Sequence, residues 1–311
     1  MPGTFPAGAP VLTGDSLAIS RFLQSPTALK RRLRDYGDLR FVSDQILTQR
    51  FRSSGGAVLY EMTEPFVSDR AVESVGAGSE YPYANLPTGT AAVAAIQKWG
   101  QKVLLTDEEI ERNAYGGAAV DRQLRKVINS IISQVDSITM SAIASAVTAT
   151  FNVTAAGGGV WTGATPTILR DILRAKAAIY ALNLGYHPDT VVLNDTQYAY
   201  AMTDTAITNA WRRETTTNPV YSGQVETIAG LNVIVSPNLP AATAYVLDSS
   251  ALGGMADEMD GAPGYSVTDL AVQVKSIRRD ENDAWDLQGR RKTVPVVQEP
   301  GAAIKLTVIG I

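Results

Sequence analysis

The one histidine of this 311-residue chain, His187, stands in the segment GYHPDT, two residues before Asp189. A histidine beside a carboxylate can drive nucleophilic or acid–base chemistry, but only with a nucleophile in reach. No G-x-S-x-G elbow is present, and cysteine is absent. A His–Pro–Asp turn before the apolar run TVVLN is therefore read as a loop entering a strand. Carboxylates cluster at DEMDG, from Asp257, and at DENDAWD, from Asp280. Neither has the ligand spacing of a calcium loop, so both are read as turn carboxylates. The glycines of GGGVWTG match neither a phosphate loop nor a dinucleotide fingerprint and read as a hinge or turn. No catalytic residue, cofactor or metal is expected.

Charge is the next signal. The chain carries 27 basic and 31 acidic residues, a net charge of −4, which supplies no general drive toward nucleic acid. Residues 21–52 depart from this, with eight basic residues, among them Arg31, Arg32 and Arg34, against Asp35, Asp38 and Asp44. A local +5 interleaved with Leu, Phe and Ile reads as a docking arm rather than a free tail. No basic stretch followed by an apolar run opens the sequence, and the charge-free stretch 137–169 is broken by Gly157, Gly158 and Gly159, so neither a signal peptide nor a membrane span is expected.

The elements that would position these groups follow from periodicity. Short helices are expected over 15–23 and 26–36, with Ser25 capping the second. Strands over 57–61 and 96–105 flank a long Gly/Pro-rich section, ESVGAGSEYPYANLPTGT. A span of that length without regular structure is unusual inside a domain. With its flanking strands it reads as a projecting two-stranded arm whose limbs could reach roughly 60 Å if extended. Such a hairpin is marginal alone and needs a neighbouring molecule. Glu80, Tyr81 and Tyr83 lie at its tip, where rigid aromatic anchors suit contact. Thr106 and Glu109 form a capping box, Gly116 and Gly117 interrupt the helix it starts, and a long amphipathic helix runs from about 118 to 149. Its core face is expected to be Val120, Leu124, Val127, Ile128, Ile131, Val135, Ile138 and Ala142, with Arg122, Arg125 and Asp136 on the polar side. An α/β region follows, then a long antiparallel pair turning near 281–282, then a closing strand from AIKLTV.

The order of these parts carries a resemblance. KVLLTDEEIERN leading into VINSIISQVDSITMSAIAS, the strand–Asn–helix segment GYHPDTVVLNDTQYAYAM and the closing GRRKTVPVVQEPGAAIKLTV together resemble the HK97-like major capsid proteins of tailed bacteriophages. The resemblance implies an α+β HK97-like capsid fold: an N-terminal arm over 1–50, an extended loop over 51–105, and a spine helix with peripheral domain over 106–155. An axial domain over 156–255, peripheral-domain strands over 256–300 and a closing strand over 301–311 complete it.

It also implies a structural protein, not an enzyme, that assembles with itself into hexamers and pentamers of an icosahedral shell around double-stranded DNA, without sequence-specific binding and without a membrane. It would reside in the virion after assembly in the bacterial host cytoplasm. Inter-subunit contacts are expected from Arg31, Arg32, Arg34, Glu80, Tyr81, Tyr83, Arg122 and Arg125, and hinges at Gly116, Gly117, Gly157, Gly158 and Gly159. Some members weld their shells through lysines of the extended loop; residues 51–97 contain no lysine, so no cross-link is expected there. A separate scaffolding protein and a portal are implied partners, with a decoration protein as a further one. An encapsulin-like compartment shell holding a cargo enzyme is the alternative.

Overall fold

The computed structural model describes residues 41–63, 68–85, 87–112, 116–163, 165–210, 225–240, 242–259, 263–267 and 271–308. The helices expected over 15–23 and 26–36, most of the basic arm and the polar loop over 212–221 lie outside the described residues.

The longest element is the helix Gly116–Ala146 (here α3, after Ser43–Ile46, α1, and Asp107–Arg112, α2). Val120, Leu124, Val127, Ile128 and Ile131 recur at spacings of three and four and are all buried. This stripe lies on a sheet in which Ala284–Val297 (β13) pairs antiparallel with Gln97–Thr106 (β4) and with Gln273–Arg279 (β12). Close approach is possible because β13 carries Gly289 there: a Cβ would come 2.9 Å from Val127 Cγ1 and 3.1 Å from Ile131 Cδ1. The β12–β13 turn runs through Asp280–Asn282, with Asp283 in the left-handed region at φ 42°, where the sequence placed it. Beside this turn, at the end of β4, the Glu109 N–H donates to Thr106 Oγ1 at 3.3 Å, one half of the expected capping box.

Past Val135 the buried stripe turns. Thr139, Met140 and Ile143 are buried, whereas Ile138 and Ala142, expected in the core, are half-buried. Steps of four residues outrun a 3.6-residue turn, so the stripe rotates around the helix. At this level the helix meets Gly253–Asp257 (β10), with Thr139 Oγ1 3.8 Å from Met255 Sδ. Asp136, expected on the polar face, is buried by the same rotation. The segment Arg122–Ala146 is long and apolar enough by composition to cross a membrane, but its apolar stripe is accounted for by this packing.

The second sheet has the order β5-β14-β9-β6-β8-β7, from Thr150–Asn152 (β5), Ala303–Thr307 (β14), Thr243–Leu247 (β9), Thr190–Leu193 (β6), Leu231–Val235 (β8) and Thr227–Ile228 (β7). Its central strand β6 is buried throughout, as a continuous Thr-Val-Val-Leu run requires. Ile168–Ala181 (α4) covers one face through Ile168, Ile172, Ala175 and Ile179. Asp195–Thr203 (α5) follows β6 directly because Asn194 caps it: its side chain accepts from the Thr196 N–H at 3.0 Å, and Gln197 Oε1 accepts from the Asn194 N–H at 3.0 Å. The closing strand β14 is the AIKLT segment expected from sequence.

Between two strands of the first sheet, Gln49–Arg52 (β1) and β4, the chain forms a separate hairpin. Ala57–Met62 (β2) pairs with Thr90–Ala95 (β3), in register from Ala57↔Ala95 to Met62↔Thr90. This corrects the expected pairing of 57–61 with 96–105. The latter stretch is β4, and Trp99, Val103 and Leu105 commit it to the sheet beneath the long helix. The alanine-rich β3 has weak intrinsic strand preference and was not legible as a strand.

Candidate functional site

The hairpin ladder exposes apolar residues that a lone chain leaves wet. Leu59 and Val93 are direct cross-strand partners, and they are 72% and 68% exposed. Beyond the ladder the chain closes on itself where the Asp69 N–H donates to the Asn85 carbonyl at 3.3 Å and the Asn85 N–H to Asp69 Oδ1 at 2.9 Å. The lobe between these residues carries the exposed Val72, Glu80, Tyr81 and Tyr83; Tyr81 and Tyr83 are exposed as expected. At the end of the ladder away from Ala57 and Ala95, the chain is tied to the body by the Thr63 N–H, which donates to the Gln298 carbonyl at 3.0 Å.

The end of the basic arm is held by a buried polar cluster that sequence reading missed. Arg291 on β13 is fully buried. Its guanidinium donates to Asp257 through Nε (3.0 Å) and Nη2 (3.1 Å) and to Asp44 through Nη2 (2.9 Å), and it lies over the Phe41 ring at 4.3 Å. Burial works against its charge, but the two carboxylates outweigh this and raise its pKa. Arg50, on Gln49–Arg52 (β1), joins the cluster, 2.9 Å from Asp44 and 3.6 Å from Asp257. Parallel pairing of β1 with β10 brings these groups together. Asp136 Oδ1 accepts from the Ser43 N–H at 2.9 Å, and Oδ2 from the Val42 N–H at 3.3 Å. Burial pushes the Asp136 carboxyl above the ordinary range, and these bonds only partly offset it. Four charges and one cap thus hold residues 41–52 to the body. The available signal was strand alternation, which puts Arg291 of GRRKTV on the same face as Leu287 and Gly289.

The remaining sequence candidates separate. Arg31, Arg32 and Arg34 lie outside the described residues. Arg122 and Arg125 are exposed on α3, remote in sequence from the hairpin. Gly116 and Gly117 open that helix. Gly157 occupies the left-handed region at φ 71°, while Gly158 and Gly159 are demanded by close packing: a Cβ at Gly158 would come 2.9 Å from Asp171 Oδ1, and one at Gly159 2.0 Å from the Thr165 carbonyl. Asp171 accepts from Trp161 Nε1 and Thr167 Oγ1, and burial raises its pKa.

The carboxylates around His187 serve turns. Asp189 accepts from the Ser249 N–H and Oγ (2.9 and 2.6 Å). Asp248 accepts from the N–H groups of His187, Ser250 and Ala251 and from Ser250 Oγ. Burial pushes the Asp248 carboxyl up, but these four donors together hold it below the ordinary range. Among the described residues no group of three or more His, Cys, Asp or Glu is placed to hold a metal ion.

An exposed hairpin, an anchored arm and a long helix on a sheet are assembly features, and the comparisons agree. A family model described as phage capsid protein matches residues 89–306. The chain belongs to that phage capsid protein family. A search of curated proteins returns no match. Solved structures share the fold at low identity. The capsid of the cyanophage P-SCSP1u has a TM-score of 0.58 at 16% identity, covering 83% of this chain and 85% of that one. A Mycobacterium phage Bobi chain has 0.58 at 13%, covering 88% and 92%. A virus-like particle from Pyrococcus furiosus has 0.56 at 13%, covering 89% and 97%. The fold of this capsid protein is HK97-like, as the sequence resemblance implied. It is a structural major capsid protein, and the family implies self-assembly and a place in the virion.

Proposed function

We propose that this capsid protein closes an icosahedral shell of hexamers and pentamers around phage double-stranded DNA, doing no chemistry of its own. The observation that carries this reading is the hairpin. Leu59, Val93, Tyr81 and Tyr83 are exposed on an element with little support from its own chain. Covering such side chains contributes about 1.5–3 kcal/mol each when complete. A few partial burials per neighbour reach the roughly 4 kcal/mol of a millimolar contact, and several neighbours held at once convert weak contacts into a stable shell.

In this reading the hairpin lies on an adjacent subunit, and the basic arm with Arg31, Arg32 and Arg34 reaches another. Glu80, Tyr81, Tyr83, Arg122 and Arg125 contribute contacts. Bending between subunit states falls at Gly116, Gly117 and Gly157 more than at Gly158 and Gly159, where the packing above leaves little room. The domain divisions expected from the sequence serve these roles. Residues 51–97 lack lysine, so the shell holds without a cross-link from this loop. A separate scaffolding protein, a portal and a decoration protein act with it during and after assembly in the host cytoplasm. DNA is enclosed without sequence readout, since a net charge of −4 favours no tight phosphate binding. The encapsulin-like alternative is less favoured, because the matching family model describes phage capsids.

Electron microscopy of purified protein tests the reading, together with a variant lacking 70–84, the lobe whose ends already meet at Asp69 and Asn85. Wild-type protein is expected to form shells, and the variant to stay folded yet form none. Normal shells from the variant would remove the hairpin from the assembly.

A further inference from the structure

We propose that Asp171 is a proton-operated clasp on the chain between the long helix and the second sheet's covering helix. With its carboxyl neutral it closes the glycine segment 156–161 onto α4; on ionising it lets that segment loosen. This goes beyond the assembly reading and does not depend on it. The segment lies between β5, which follows α3, and α4, so its stiffness bears on how the two parts of the subunit are joined.

Asp171 stands in the first turn of α4 and is fully buried. Its two oxygens have unequal surroundings. Oδ2 accepts from Trp161 Nε1 at 3.1 Å and from Thr167 Oγ1 at 2.9 Å. Oδ1 is buried too and has no hydrogen-bond partner among the described residues. It faces Gly158, where a Cβ would come within 2.9 Å of it. A carboxylate spreads its charge over both oxygens and, when buried, calls for donors on both. Two donors on one oxygen and none on the other suit a neutral acid whose hydroxyl is Oδ1. An unmet hydroxyl costs far less than an unmet charge, and burial favours the neutral form.

The same contacts hold the segment in place. Thr167 Oγ1, which donates to Asp171, accepts from the Gly159 N–H at 3.1 Å. Trp161 is buried in the core of the second sheet, and its backbone N–H donates to the Val308 carbonyl at 3.2 Å. The charged groups around the carboxyl are few. Arg170 and Arg174 favour its ionisation from a distance, but their guanidiniums donate to the carbonyls of Gly157 (3.0 Å) and Ala156 (3.2 and 2.6 Å). Asp204 is a further charged group at this end of α4, in the groove lined by Thr167, Arg170 and Arg174. Val153 and Gly158, on the side of the segment, bring no charge. Ionisation therefore leaves Oδ1 as an unmet charge under Gly158. Relief comes by admitting water, and that requires the segment to lift at Gly157 and Gly158.

The test is a pH series on full-length unassembled subunits, wild type against Asp171→Asn, which keeps an acceptor and carries no charge. The folded-state pKa of Asp171 lies above the unfolded one, so the wild-type contribution is full below the ordinary carboxyl range and is lost as pH rises through the folded value. Relative to Asp171→Asn, the wild-type folded-to-unfolded ratio from urea titrations is expected to fall by about tenfold for each unit of elevation. Over the same range the Trp161 emission of native wild type is expected to step, with Trp161→Phe as blank, and proteolysis within 156–161 to quicken. Trp161→Phe also removes a donor to the carboxyl, so its stability step should move to higher pH, which a merely structural tryptophan would not cause. A relative ratio flat within about twofold between pH 4 and pH 8 overturns the proposal. So does a ratio that rises with pH, which would make the carboxylate the closed form. A stability step without faster cleavage would leave a titrating group but no clasp, and also overturns it. Should Asp171→Asn not fold, the wild-type emission decides: no step at Trp161 while the subunit stays folded sinks the proposal.

Discussion

Removing Arg291 should loosen the root of the arm and cost a large share of subunit stability. Its guanidinium is fully buried, and the Asp257 side chain is only 6% exposed. At about 3 Å and an effective dielectric near 20, one such contact is worth roughly 5 kcal/mol of attraction, most of it offset by the cost of taking both charges from water. Arg291→Ala removes the attraction and leaves the Asp257 carboxylate in place, a change that typically costs about 3–5 kcal/mol. Arg50, already 3.6 Å from Asp257, can take up part of the deficit, so about 3 kcal/mol is expected. With a urea dependence of about 3 kcal/mol/M, the midpoint of unassembled subunits should fall by roughly 1 M. Arg291→Met combined with Asp257→Leu should cost less than Arg291→Ala alone, because no unpaired charge is left buried and Asp44 keeps Arg50 at 2.9 Å. Limited proteolysis should cut Arg291→Ala within residues 41–52 faster than wild type. An Arg291→Ala midpoint within about 0.3 M of wild type, or a double variant weaker than the single, would refute the account of the clasp.

Three further outcomes are expected. Ile131→Asp should prevent soluble folding, at a cost above about 4 kcal/mol, while the half-buried Ile138→Asp should cost only about 1–2 kcal/mol; equal losses in urea titrations would place the core face of the helix wrongly. Gly254→Ala should detach β1 from β10, since a Cβ would sit 2.3 Å from the Gln49 carbonyl oxygen; a loss of about 2–3 kcal/mol with new cleavage at 49–52 is expected, and wild-type behaviour would contradict the register. Asp248→Asn should destabilise the chain at neutral pH by about 1–2 kcal/mol. Because the folded-state pKa of Asp248 is depressed, its contribution is present above the ordinary carboxyl range and lost as pH falls through the depressed value. The gap between variant and wild type should therefore close on acidification, and a gap that widens would reverse the sign. Asp136 and Asp171, raised by burial, act in the opposite sense and favour the folded state as pH falls.

Sequence legibility tracked locality. The strand–Asn–helix segment around Asn194, the turn at Asp280–Asn282 and the early stripe of α3 each depend on residues within a few positions of one another, and each was readable. The partner of β2 was misread because its true partner, TAAVAA, is alanine-rich while the stronger strand signal at 97–106 belonged to another sheet. Arg291 gave little warning, since its two carboxylates lie 34 and 247 residues away in the chain.

By itself the sequence determined most of the helices and strands, though not β3, that a long acidic, aromatic-tipped loop interrupts them, and that it carries no cysteine, G-x-S-x-G elbow or phosphate-loop motif. Those properties rest on period, composition and short-range capping. Tertiary structure alone decided which strand pairs with which, how the core stripe of the long helix rotates past Val135, and which distant charges meet at Arg291. These depend on register, where a shift of one residue sends every side chain to the opposite face.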